Sequence, residues 1–120
     1  MKVPAGLALL CLLASCREES SPAVAHALGD AMEGRRVIER AGCAVCHDIP
    51  GVRGPRGVVG PSLAGFARRA YFAGALPNRP GLVAQFVRDA PALVPNTAMP
   101  DMPLDERQAR DAAAYLQTLR

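Results

Sequence analysis

The chain has 120 residues, half of them apolar but only 4% aromatic, with 11 Gly, 11 Pro, 4 Cys and no Trp. That length holds one modest domain, and a core of small aliphatic side chains in so short a chain needs a staple: disulfides, a metal or a cofactor acting as core. A large multidomain enzyme, a transmembrane bundle and a disulfide-dense scaffold are excluded; 14 basic against 11 acidic residues, with arginines scattered among acids, exclude nucleic-acid binding.

Residues 1–15 have the form of an export signal: Lys2 supplies the basic start, and the apolar run from Val3 to Ala14 is too short to span a bilayer. Leu13-Ala14-Ser15-Cys16 resembles a bacterial lipobox, in which the Cys16 thiol is acylated and cleavage falls just before it. Several acyl chains on one cysteine hold a protein at a membrane surface without a spanning helix. The competing site is Ala23-Val24-Ala25, whose use releases a soluble periplasmic protein beginning at His26. Residues 16–29 are small and polar and form a tether, with His26 as a solvated tether residue.

From there the pattern is helical and loop-rich. Residues 30–41 predict a helix capped by Asp30, with Ala31, Val37, Ile38 and Ala41 on one side, ending at Gly42. Cys43-Ala44-Val45-Cys46-His47 follows, and then a run punctuated by Pro50, Gly51, Gly54, Pro55, Gly57, Gly60 and Pro61 that cannot be regular structure. Residues 63–72 predict a short helix, and 82–88 another, introduced by Pro80 and stopped by Pro91. Residues 91–103 read as extended. The last helix is capped by Asp105 with Gln108 completing a capping box, and buries Ala109, Ala112, Ala113 and Leu116. No strand signal is present, so the fold class is all-α.

Two thiols three residues apart, followed at once by an imidazole, suit covalent haem attachment: Cys43 and Cys46 form thioethers with the vinyl groups and His47 coordinates iron from one face. A redox dithiol needs a βαβ context that is missing, a zinc site lacks a clear fourth ligand, and a plain Cys43–Cys46 disulfide is the bland alternative in an oxidising compartment. The sixth iron position falls to Met99, in a Pro-rich segment that can fold over the far haem face, because a soft thioether favours ferrous iron. Met32 and Met102 are assigned to core filling.

With these residues in hand, 34–119 resembles a class I c-type cytochrome of the small bacterial monohaem kind. The resemblance rests on Gly34-Arg35-Arg36-Val37-Ile38, Cys43-Ala44-Val45-Cys46-His47, Gly60-Pro61-Ser62-Leu63, Met99-Pro100 and Ala114-Tyr115-Leu116. It implies N- and C-terminal helices that cross, with short helices and loops wrapped around one haem. It also implies that the Pro61 carbonyl accepts a hydrogen bond from the His47 ring, fixing its tautomer. By the same resemblance Leu63 packs on the haem, and Gly34 lets the first helix approach Ala112 and Tyr115. Phe86 stands where relatives usually carry Trp, which leaves Arg69, Tyr71, Asn78 and Arg79 as candidate partners for a haem propionate. The lysine-rich docking face of mitochondrial cytochrome c is missing, which disfavours a partner selected by strong positive charge.

The expected function is one-electron transfer between redox partner proteins, with no small-molecule substrate and no catalysis by the chain alone. The alternative is a haem-based sensor or peroxidase-like protein in which Met99 is displaced. The domain organisation expected is leader 1–15, tether 16–29 and haem domain 30–120.

Overall fold

The computed structural model describes residues 28–120, so the leader, Cys16 and His26 lie outside the described residues. The first element, α1 (Ala31–Arg40), begins where the Asp30 carboxylate accepts from the amides of Met32 and Glu33. Those are two of the donors that a helix start leaves without an intrahelical partner. It buries Gly34, Val37 and Ile38. Gly42, in the left-handed conformation at φ 72°, ends it and opens a 3-10 turn over Cys43–Val45.

The Gly/Pro run is irregular, as its composition requires. Beyond it, two expectations need correction. Residues 63–72 form only a 3-10 turn (Phe66–Arg68): Gly65 enters it left-handed at φ 67° and Arg69 leaves it extended. The chain then makes a small antiparallel hairpin, β1 (Tyr71–Phe72) paired with β2 (Leu76–Pro77), turning through Ala73 and Gly74 at positive φ. Strands of two residues carry no alternation to detect, so the sequence could not announce them.

The helix α2 (Pro80–Arg88) is as expected, with proline in its first turn. Pro91 does not stop it. The backbone leaves the helical region at Asp89, whose side chain accepts from the Ala92 amide and caps a one-turn helix, α3 (Ala90–Leu93). Pro91 sits in that first turn, where its missing N–H costs nothing. The expected extended segment therefore starts only at Val94.

The last helix, α4 (Glu106–Leu116), has the capping box of Asp105 and Gln108 and buries Ala109, Ala112, Ala113 and Leu116, with Asp111 buried beside them. It crosses α1 at Gly34. A β-carbon there would enter the carbonyl of Asp111, so the close approach is to the Asp111–Ala112 backbone and not to the Tyr115 side chain. Asp111 also ties the crossing chemically: its carboxylate accepts from the Asp30 amide at 2.7 Å and lies 3.8 Å from the Arg107 guanidinium. Around this crossing Val37, Ile38, Ile49, Val83, Ala84 and Leu119 pack with the alanines of α4.

The scarce aromatic volume is concentrated. Phe66 and Phe72 have ring centroids 6.0 Å apart, and Phe72 and Phe86 meet edge-on at 5.2 Å. Met32, assigned to core filling from sequence, is instead 73% exposed on α1. Met102 is half-buried. Among the described residues, no helix is long and apolar enough to cross a membrane.

Candidate functional site

The three phenylalanines line one side of a cavity of about 630 Å³. Cys43, Cys46 and His47 line it from the first loop, Pro61 and Leu63 from the end of the Gly/Pro run, and Met99 and Met102 from the second Pro-rich segment. Cys43, Cys46, His47, Pro61, Leu63 and Met99, the haem and iron ligands and pocket residues selected from sequence, thus all border one space. Met102 lines the same cavity as Met99, so its filling role is at the site rather than in the remote core.

The local geometry of His47 follows from the turn that carries it. Its amide donates to the Cys43 carbonyl at 3.0 Å, and Val45 donates to Gly42 at 3.0 Å, so both cysteines and the imidazole sit on one compact loop. The ring Nδ1 lies 2.8 Å from the Pro61 carbonyl oxygen. A carbonyl can only accept, so Nδ1 carries the proton and Nε2 keeps its lone pair for a metal. Gly60 makes this possible: a β-carbon at that position would fall inside the His47 ring. In the sequence Gly60 stands out only as part of the Gly60-Pro61-Ser62-Leu63 turn and Gly57 only as a loop former; a β-carbon on Gly57 would collide with the Val45–Cys46 backbone.

Ion pairs fasten the loop from outside. Asp48 binds Arg56 at 2.7 Å and accepts from the Ser62 hydroxyl at 3.1 Å. Arg56 first, and then Ser62, hold the Asp48 carboxyl below its ordinary value. Glu39 on α1 accepts from the Arg53 amide and pairs with Arg53 and Arg35. The Arg53 amide hydrogen bond is the largest cause of its pKa falling to about 2, with burial opposing and the two guanidinium groups assisting. The Tyr115 hydroxyl donates to the Pro50 carbonyl at 2.7 Å, and burial raises its pKa above the ordinary value. Apart from the Arg35–Glu39 pair within α1, these clamps join residues 8 to 65 positions apart, which hid them as partners in the sequence.

The propionate candidates separate. Asn78 is committed to structure, donating to the carbonyls of Phe66 and Arg69 and accepting from Gln117. Tyr71 is 61% exposed on the hairpin. Of the four, Arg69 alone lines the cavity; its Nη2 donates to Ser62 and Ala64, and its guanidinium lies 5.7 Å from the Phe66 ring centre.

Cys43 and Cys46 are both half-buried on the cavity wall. Burial pushes the Cys43 thiol up, opposite to the lowered value a redox dithiol needs. Among the described residues, no group of three or more His, Cys, Asp or Glu could hold a metal ion, so the zinc alternative finds no ligand set there. A planar macrocycle bearing vinyl groups fits: two thiols and an imidazole on one loop, a thioether on another, and an apolar wall rich in phenylalanine.

The family model for cytochrome c matches residues 31–120. The chain is also 32% identical over 111 residues to cytochrome c-552 of Bradyrhizobium diazoefficiens, covering 92% of each protein. The chain belongs to the cytochrome c family. The cofactor of this cytochrome is accordingly one covalently attached haem c, and its C-x-x-C-H loop is the attachment motif. Among solved structures, SoxXA from P. pantotrophus matches with a TM-score of 0.59 at 24% identity, over 76% of this chain and 82% of that one, a likeness of fold. As a cytochrome c, the protein is a haem electron-transfer protein.

Proposed function

We propose that this cytochrome is exported, anchored through an acylated Cys16, and passes one electron at a time between redox partner proteins. Residues 1–15 serve as the lipoprotein leader, 16–29 as the tether and 30–120 as the haem domain; Leu13-Ala14-Ser15-Cys16 supports the anchor. Haem supplies a one-electron couple when bound. The protein residues define its surroundings. Cys43 and Cys46 would hold it covalently, and His47 through Nε2 and Met99 through its thioether would supply the two iron ligands.

The observation that carries the reading is the Pro61–His47 contact at 2.8 Å, facing the cavity that Met99 also lines. It fixes the imidazole tautomer and adds electron density to the ring, and a neutral imidazole with a thioether suits both oxidation states with little rearrangement. Leu63 and the phenylalanines exclude water, which favours the less charged ferrous state.

The deciding experiment is optical. The ferric protein is expected to be low-spin with a sulfur-to-iron charge-transfer band, lost in Met99→Ala. A high-spin wild type that takes up exogenous ligands readily favours the sensor or peroxidase-like alternative instead. Mass spectrometry of the mature protein reads haem, lipid and cleavage site together, and a mature start at His26 refutes the anchor.

A further inference from the structure

Residues 49–88 contain six arginines and no Asp or Glu, so each counter-ion there has to come from elsewhere in the chain. Glu39, Asp48 and Glu106 answer Arg53, Arg56 and Arg88 in that way. Among the described residues eight arginines are paired with carboxylates, and Arg68, Arg69 and Arg79 are not. These three are gathered at one place. The Asn78 amide donates to the Ala70 carbonyl, and its side chain to the carbonyls of Phe66 and Arg69, which lays Arg79 beside the turn that carries Arg68. Arg69 belongs to the cavity side, its guanidinium held by the Ser62 and Ala64 carbonyls. Arg68 and Arg79 are exposed, and the exposed Tyr71 pairs in the hairpin with Pro77, two residues before Arg79. Arg120 is seated on the same turn by the Ala67 amide donating to Leu119, and its terminal carboxylate balances its guanidinium.

Free guanidinium groups match phosphate oxygens, and tyrosine is a residue of the membrane–water boundary. The place of this face in the fold favours a lipid surface over an acidic protein. A β-carbon on Gly29 would enter the Arg110 carbonyl, and the Gln117 side chain donates to Asn78, so both the start of the domain and the arginine face lean on α4. Arg110 and Gln117, the C-cap, are two turns apart on one side of that helix, a separation of about 10 Å. A flexible tether from Cys16 to Leu28 has a mean reach of about 20 Å, which keeps the face within range of the surface that holds the anchor. We propose that Arg68, Arg79 and Tyr71 rest on the headgroups of an anionic phospholipid surface and set the orientation of the tethered haem domain. This rests on the lipid-anchor reading above. Because the anchor supplies the local concentration, two arginines, each worth about fivefold in adsorption, suffice to bias orientation.

The test places the mature holoprotein on phosphatidylcholine vesicles, with or without phosphatidylglycerol, that carry a dilute headgroup fluorophore. Haem quenches that fluorophore by energy transfer as the domain approaches the surface. The expected result is stronger quenching with phosphatidylglycerol, returned by high salt to the level seen with phosphatidylcholine alone. Arg68→Gln combined with Arg79→Gln weakens adsorption about 25-fold and removes most of the difference. Flotation with the vesicles and the optical spectrum stay as in wild type, because both side chains are exposed. Tyr71→Ser gives a smaller reduction with no change in charge. Equal quenching on the two kinds of vesicle overturns the proposal, as does a phosphatidylglycerol effect that persists in the double variant. Arginine-dependent binding of polyglutamate by a holoprotein indifferent to phosphatidylglycerol also overturns it and assigns the face to an acidic protein. Failure to float with phosphatidylcholine vesicles overturns the anchor reading, and this proposal with it.

Discussion

The His47 ring lies where a β-carbon of Gly60 would be, while its Nδ1 is 2.8 Å from the carbonyl of the next residue, Pro61. Space and hydrogen bond thus come from one dipeptide. Gly60→Ala must either push the imidazole off the Pro61 carbonyl or move the loop, and forced overpacking of this kind costs about 1–3 kcal/mol. The expected outcome is a lower denaturation midpoint and a shifted or mixed-spin ferric spectrum in the holoprotein. An unaltered spectrum and midpoint would show that the ring has room to spare.

The helix crossing is equally intolerant. In Gly34→Ala the new β-carbon enters the Asp111 carbonyl, which is backbone and cannot rotate away. A stability loss of about 1–3 kcal/mol is expected by chemical denaturation, with the optical signature of the haem site retained in the folded fraction because the clash is between α1 and α4. Gly81→Ala is the control: a β-carbon there meets nothing within 4 Å, and the position is helical.

Asp111 accepts the Asp30 amide from a buried position. Asp111→Ala leaves that donor without its partner and is expected to cost about 1–3 kcal/mol, the usual penalty for an orphaned buried polar group. Asp111→Asn retains an acceptor oxygen and should recover part of the loss. Equal destabilisation by Ala and Asn would mean that the charge, rather than the acceptor, matters through Arg107.

Acid stability follows from the carboxylates around the first loop. Glu39 sits at about 2 in the folded protein against an ordinary 4.5, and Glu33 and Asp48 are also lowered. A depressed folded-state pKa contributes stability that is fully present above the ordinary value and is lost as pH falls through the folded one. Unfolding free energy should therefore decline from about pH 4.5 toward pH 2, and Glu39→Gln should flatten that slope. A wild-type curve flat across the window contradicts this.

Much of this protein was legible in the chain, for identifiable reasons. Asp105 with Gln108, and Asp30 before Ala31, are local devices whose partners lie within a turn, so α4 and α1 could be read directly. Cys43, Cys46 and His47 are adjacent, so their chemistry was readable too. What escaped depended on distant neighbours: the Asp111–Asp30 bond spans 81 positions and Tyr115–Pro50 spans 65. Pro91 misled because proline breaks a helix interior but suits a helix start, and only the capping by Asp89 distinguishes the two. Met32 misled because its apolar character was read without its direction on α1.

The core prediction from composition also has a physical sense. Phe66, Phe72 and Phe86 face the cavity, so without haem their inner sides have little to pack against. Cys43→Ala combined with Cys46→Ala should yield a chain with weak far-ultraviolet helical signal. A well-folded double variant would show that the helix crossing suffices alone.

The second Pro-rich segment is fastened at its two ends: Val94 donates to Ala90 at 2.9 Å, and Met102 donates to Arg88 at 2.8 Å. Between those pins Asn96 adopts φ 68° and the Met99 amide leans on the Thr97 hydroxyl at 3.3 Å. A strap held this way can lift as a unit while α2 and α4 stay formed, because its opening breaks few buried contacts. With Met99 as the ligand proposed above, its exchange would belong to a subglobal transition of its own, distinct from unfolding, and amides near Met99 should exchange with deuterium well before those of Ala109 to Leu116. Release of Met99 is in that case a reversible event in the native protein, with a timescale set by a loop and not by the fold.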